Sequence, residues 1–201
     1  MTEEDDIARW LAAGLKKARP YASFFDWPNK ETKELGVVRQ LLESMGDSGP
    51  LRLREVRPGR PDPPDAVGTQ EDGTLAAVEV TELVDPEAIR RNVSAARNSR
   101  SSDPIEQMKD RVVRIWDRPD LISAVEERLR AKDEVTLMGG PFERYVVVLH
   151  TDEPMLSVTD AQRWLAAHTF AGMSQITDAF LLMSYDPTTD GYPIISLGVS
   201  R

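Results

Sequence analysis

A mixed α/β domain with helices packed about a central sheet is the fold class this sequence predicts. Three observations lead there. Apolar residues recur at helical spacing in residues 31–45 and again from Leu121 to Leu129. Residues 74–83 and 145–149 are short apolar runs suited to strands covered on both faces. Between these stretches, Gly and Pro punctuate the chain so that helical and strand-like segments follow in the order α, α, β, β, β, several helices, β, α, β, β.

Taken in order, Thr2 followed by Glu3, Glu4 and Asp5 marks a helix start. Ile7, Leu11 and Leu15 continue that helix, which ends before Pro20. An aromatic connector of Tyr21, Phe24, Phe25 and Trp27 follows, so residues 1–27 are read as an N-terminal helix and arm and residues 28–201 as one α/β domain. A second helix spans residues 31–45, stopped by Gly46. Residues 51–56 read as an exposed strand, and 65–69 with 74–83 as a hairpin about Glu71, Asp72 and Gly73. Asp103, Pro104 and Glu106 open a helix expected to reach Trp116. Another begins near Pro119. Residues 145–149 are a buried strand, Ser157 or Thr159 caps a helix through Leu165, and residues 179–185 and 193–199 close the chain as strands.

Composition narrows the chemistry. The 201 residues include no cysteine and two histidines. Disulfides, thiolate zinc sites, cysteine nucleophiles and His-rich metal sites are therefore excluded, and any metal must be hard and oxygen-ligated. With no basic-then-apolar leader and no apolar run near the ~18 residues of a membrane span, a cytoplasmic protein is expected. The formal charge of −9 argues against a uniformly positive surface. Two arginine groups stand out against it, Arg52, Arg54, Arg57, Arg60 and Arg90, Arg91, Arg97, Arg100, readable as solvated surface or as phosphate contacts.

The hairpin carries the chemistry. Alternation sets Leu75, Ala77, Glu79, Thr81 and Leu83 on one face of its second strand and Ala76, Val78, Val80 and Glu82 on the other. A carboxylate in such a strand is costly unless a cation or hydrogen-bond donors receive it. A two-residue turn would face Asp65 away from Glu79. A three-residue turn ending in a left-handed Gly73 sets the two side by side, and is the form preferred here. Adjacent carboxylates repel unless a divalent cation such as Mg, Mn or Ca lies between them; the alternative is a pair reaching solvent at the sheet edge. On the second helix, Glu34 and Glu31 fall near the stripe of Val38, Leu41, Leu42 and Met45, which aims Glu34 toward the same place.

A helix glutamate, Pro64-Asp65 opening a strand and Glu79-Val80-Thr81 on the next resemble the PD-(D/E)XK, or restriction-endonuclease-like, nuclease superfamily. PPDAV and AAVEVTEL resemble bacterial members of unassigned role in which E-x-T replaces E-x-K. The resemblance covers about residues 28 to 150 and implies an αβββαβ core, with a further helix and strands added at the C-terminal end. It implies phosphodiester hydrolysis dependent on Mg or Mn, suited to defence or repair, with Asp65, Glu79 and the Val80 carbonyl as metal ligands and Glu34 as an auxiliary acid. Thr81 stands where the family has its lysine and supplies no positive charge. Lys109, on the helix after the strand, is the candidate replacement. Nucleic acid, DNA ahead of RNA, is the implied partner, met by the arginines, while the first helix or last strands offer a homodimer contact. The alternative is a nuclease-like domain without catalysis, acting as a nucleic-acid or protein interaction module.

Overall fold

The computed structural model describes residues 29–85, 114–153 and 155–201. The expected first helix, the aromatic connector, the Asp103 helix with Lys109, and Arg90, Arg91, Arg97 and Arg100 lie outside these residues. Among those described, helix α1 (Lys30–Met45) precedes strands β1 (Arg54–Pro58), β2 (Ala66–Thr69) and β3 (Leu75–Glu82). Helix α2 (Arg118–Asp133) leads to β4 (Arg144–Thr151). Helix α3 (Val158–Leu165) then precedes β5 (Thr169–Ala171), β6 (Asp178–Met183) and β7 (Ile194–Ser200).

The seven strands form one mixed sheet in the order β1-β2-β3-β4-β6-β7-β5. The first three make an antiparallel meander, after which β3, β4 and β6 run parallel. A connection between parallel neighbours must cross back over the sheet, and the stretch from β3 to β4 does so with α2 in it. Strand β3 therefore has a partner on each side, and the alternating pattern resolves into two buried faces. Ala77, Val147, Leu149 and Leu181 pack with Leu121, Val125 and Leu129 of α2 and with Ala161 and Leu165 of α3. Val78, Val80, Val146, Val148 and Phe180 pack with Val37, Val38 and Leu41 of α1. Each such Val or Leu contributes ~1.5–3 kcal/mol on leaving water, so both layers are held chiefly by apolar burial.

The helix starts follow their caps. Asn29 Oδ1 accepts from Thr32 N at 2.8 Å, Asp117 Oδ1 from Asp120 N at 2.8 Å, and Ser157 Oγ from Asp160 N at 3.1 Å. At the other end of α1, Gly46 closes the helix at φ +63°, a conformation glycine adopts without a Cβ penalty.

Three expectations are corrected. The exposed strand starts at Arg54 and reaches Pro58, because Arg52 and Leu53 precede the first ladder pair, Arg54 with Thr69. Residues 114–117 are not helical, so no helix from Asp103 extends to Trp116. The short β5 was not expected; it pairs parallel with β7. That pairing places β7 between β6 and β5, so the last strand is no free edge for a second copy. No helix among the described residues is long and apolar enough to cross a membrane.

Candidate metal centre

The site begins with the register of the β2–β3 hairpin. Ala66 pairs with Val78 and Thr69 with Leu75, and Gln70 N donates to Thr74 O at 2.8 Å. The loop is thus Glu71-Asp72-Gly73, with Gly73 at φ +86°, the left-handed conformation a three-residue turn needs at its end. One residue before β2, Asp65 comes opposite Glu79. Their link is direct: Asp65 N donates to Glu79 Oε1 at 3.1 Å, and Val80 N donates to Asp65 Oδ2 at 2.9 Å. Both side chains are 3% exposed.

Chain before β2 is pinned as closely. Gly59 N donates to Asp65 O at 3.0 Å. A Cβ at Gly59 would lie 1.7 Å from Pro64 O, so no side chain fits where the two segments cross. This crossing carries Asp62 to the mouth of the site. Asp62, Asp65 and Glu79 each offer a carboxylate oxygen within 4.8 Å of the others. Oxygens across a six-coordinate shell with ~2.1 Å bonds lie ~4.2 Å apart, so small side-chain adjustments would let a hard divalent cation fit this donor set.

Helix α1 adds Glu34. It is 8% exposed, and burial first, then the nearby Asp65 carboxylate, push its carboxyl up to about 7. Glu31, expected near the same stripe, instead faces solvent and receives Arg60 at 2.9 Å. Lys30, one turn before Glu34, lies 3.4 Å from Glu34 Oε1 and 3.3 Å from Asp65 Oδ1.

The end of α2 brings a lysine to the two acids. Lys132 Nζ bonds Glu79 Oε2 and stands 3.9 Å from Asp65 Oδ2. Thr81 lies two residues beyond Glu79 on the same strand face, half-buried. Burial still raises the Glu79 pKa, with Lys132 pulling against it and Asp65 adding to the rise. The helix end that aims Lys132 is fastened twice. Tyr145 Oη donates to Lys132 O at 2.8 Å. The Asp133 carboxylate accepts from Ser174 N, Gln175 N and Ile176 N at 2.7, 2.8 and 3.0 Å. Asp133→Ala removes these acceptors together and is expected to lower stability by about 1–3 kcal/mol, read by urea denaturation. A variant as stable as wild type would show that the clasp contributes nothing.

Sequence reasoning missed Lys132 and Asp62. The signal for Lys132 was present: it continues the inward series Leu121, Val125, Leu129 at a further three residues. Asp62 sits among prolines, where no periodicity marks a direction. The first arginine group is exposed along β1 and its flanks, where Arg52 reaches Glu71 at 3.1 Å and Arg54 the same oxygen at 4.0 Å. The hairpin thus brings an acid to that group which linear spacing did not reveal.

On the opposite sheet face, beyond Val80, Glu82 pairs in register with His150. His150 is 1% exposed, and burial first, then Lys33, hold its pKa down at about 3. Glu82, Asp152 and Glu153 lie around Lys33 in the same region. The unfolded chain takes up a proton on this histidine near pH 6.5 while the native chain does not. Its contribution is therefore complete above about pH 6.5 and is lost progressively as pH falls toward 3. Between pH 7 and 4, His150→Gln is expected to lose roughly 3 kcal/mol less stability than wild type, measured by denaturant titration. Identical slopes would show that His150 is protonated in the fold.

Comparison of the chain with protein-family models, with characterised proteins and with solved structures gives no match.

Proposed function

We propose that this protein is a Mg- or Mn-dependent nuclease of restriction-endonuclease-like architecture, hydrolysing phosphodiesters of nucleic acid, DNA ahead of RNA. The observation that carries the reading is the convergence of Asp65, Glu79 and Lys132, two carboxylates and a lysine, on one buried spot. The element order α1-β1-β2-β3-α2-β4, with β3 and β4 parallel, supports the αβββαβ core that the resemblance implies.

A divalent cation held there would polarise a phosphate oxygen and bring the pKa of water toward neutrality. Asp65 and Glu79 would hold it, with Asp62 at the mouth and the Val80 carbonyl as the main-chain donor. Val80 contributes in another way too, since its N–H fixes Asp65 Oδ2. Lys132, rather than Lys109 or Thr81, is the residue we assign to orient the attacking water and stabilise charge on it. Glu34, with its carboxyl raised to about 7, would carry less negative charge beside the ligands than an ordinary glutamate does. Arg52, Arg54, Arg57 and Arg60 would take backbone phosphates, contacts that weaken with salt.

Lys132 favours catalysis over the alternative of an inactive interaction module. The test is incubation with plasmid DNA, and separately with single-stranded RNA, in Mg²⁺ or Mn²⁺ with and without EDTA. Cleavage that EDTA abolishes is expected. Saturable metal binding by calorimetry without cleavage of either substrate would favour the module.

A further inference from the structure

Lys30 has no part in the reaction just described, yet its ammonium touches three of the site's acids. Nζ lies 3.3 Å from Asp65 Oδ1, 3.4 Å from Asp62 Oδ2 and 3.4 Å from Glu34 Oε1. Asp65 Oδ2 already serves Val80 N and faces Lys132. The Asp65 oxygen left for a metal is therefore Oδ1, the one Lys30 touches. A divalent ion ~2.1 Å from that oxygen would crowd an ammonium bound to the same atom, and like charges repel strongly at such range.

The grip of Lys30 is loose. None of its three contacts is shorter than 3.3 Å, and its side chain is 67% exposed on a stem of four carbons. Its pair with Asp62 is exposed at both ends and contributes little, whereas Asp65 and Glu34 are buried, so only an ion of higher charge that takes over their neutralisation can replace the ammonium there. The rim to which the stem can turn holds Arg60, 74% exposed and paired at 2.9 Å with Glu31, the next residue of α1.

We propose that Lys30 is a displaceable counter-ion of the metal site, expelled from Asp62 and Asp65 by a divalent cation and released to join Arg60 in gripping a substrate phosphate. The proposal rests on the metal reading above. It makes the two ligands mutually reinforcing: metal frees a phosphate contact, and a phosphate that engages Lys30 opens the carboxylates to metal.

The experiment measures Mn²⁺ binding to the full chain by calorimetry for wild type, Lys30→Met and Lys30→Arg, with circular dichroism to verify the fold. Lys30→Met is expected to bind Mn²⁺ about 5- to 10-fold more tightly, with Lys30→Arg close to wild type. With Ca²⁺ in place of Mn²⁺, duplex oligonucleotide binding should tighten for wild type and tighten less for Lys30→Met. Folded Lys30→Met with wild-type Mn²⁺ affinity would overturn the counter-ion role and leave the metal site standing. Wild type that binds no Mn²⁺ would bring down both.

Discussion

Asp65→Asn should leave a folded protein in which the proposed cleavage is down by about 10²- to 10³-fold, the order lost when a main electrostatic stabiliser is removed. Asparagine is the informative substitution. Its side-chain oxygen can still accept from Val80 N, whereas alanine would orphan that buried donor at about 1–3 kcal/mol. The amide cannot replace the carboxylate's charge toward a cation, so Mn²⁺ affinity should fall along with turnover. Glu79→Gln is the matching change, since it keeps an acceptor for Asp65 N. Cleavage of plasmid by purified variants, set against melting temperature and calorimetric Mn²⁺ titration, separates the possibilities. Activity persisting in both would move the chemistry elsewhere in the chain.

Lys132→Met should lower turnover by about 10²- to 10⁴-fold at saturating Mn²⁺, the range for a group that manages a proton or its charge. Metal binding should survive, because the carboxylates remain and one competing cation is gone. A second substitution makes the case sharper. Thr81 lies two residues from Glu79 on the same strand face, so Thr81→Lys in the Lys132→Met background should recover at least about tenfold of the lost rate. Single-turnover kinetics on a duplex oligonucleotide give the readout. If Lys132→Met cuts at the wild-type rate, this ammonium serves only to neutralise Glu79.

What could be read from the sequence divides along physical lines. The hairpin was legible because alternation has a period of two and a glycine at the turn end fixes the count; one residue of slip would have turned Asp65 away. Glu34 was legible because helical periodicity gives direction. Lys132 required knowing that α2 crosses β3 near Glu79, and that is a tertiary fact, carried by 53 residues of separation along the chain. The resemblance pointed instead to Lys109 on the helix after the strand, which lies outside the described residues. Asp62 depended on how the chain between Gly59 and Pro64 crosses itself, and β5 is three residues long, too short for alternation to register.

That separation orders events during synthesis. The hairpin with Asp65 and Glu79 leaves the ribosome well before Lys132 does, and β4, which fixes the far side of β3, comes later still. A domain generally folds as a unit, so the sheet waits for its later strands as the chain emerges. A nascent chain would therefore hold Asp65 and Glu79 with Lys30 at hand but without Lys132, until α2 docks. If Lys132 serves hydrolysis as proposed, the site gains it only after α2 has been made and has docked, later than the hairpin that holds the acids.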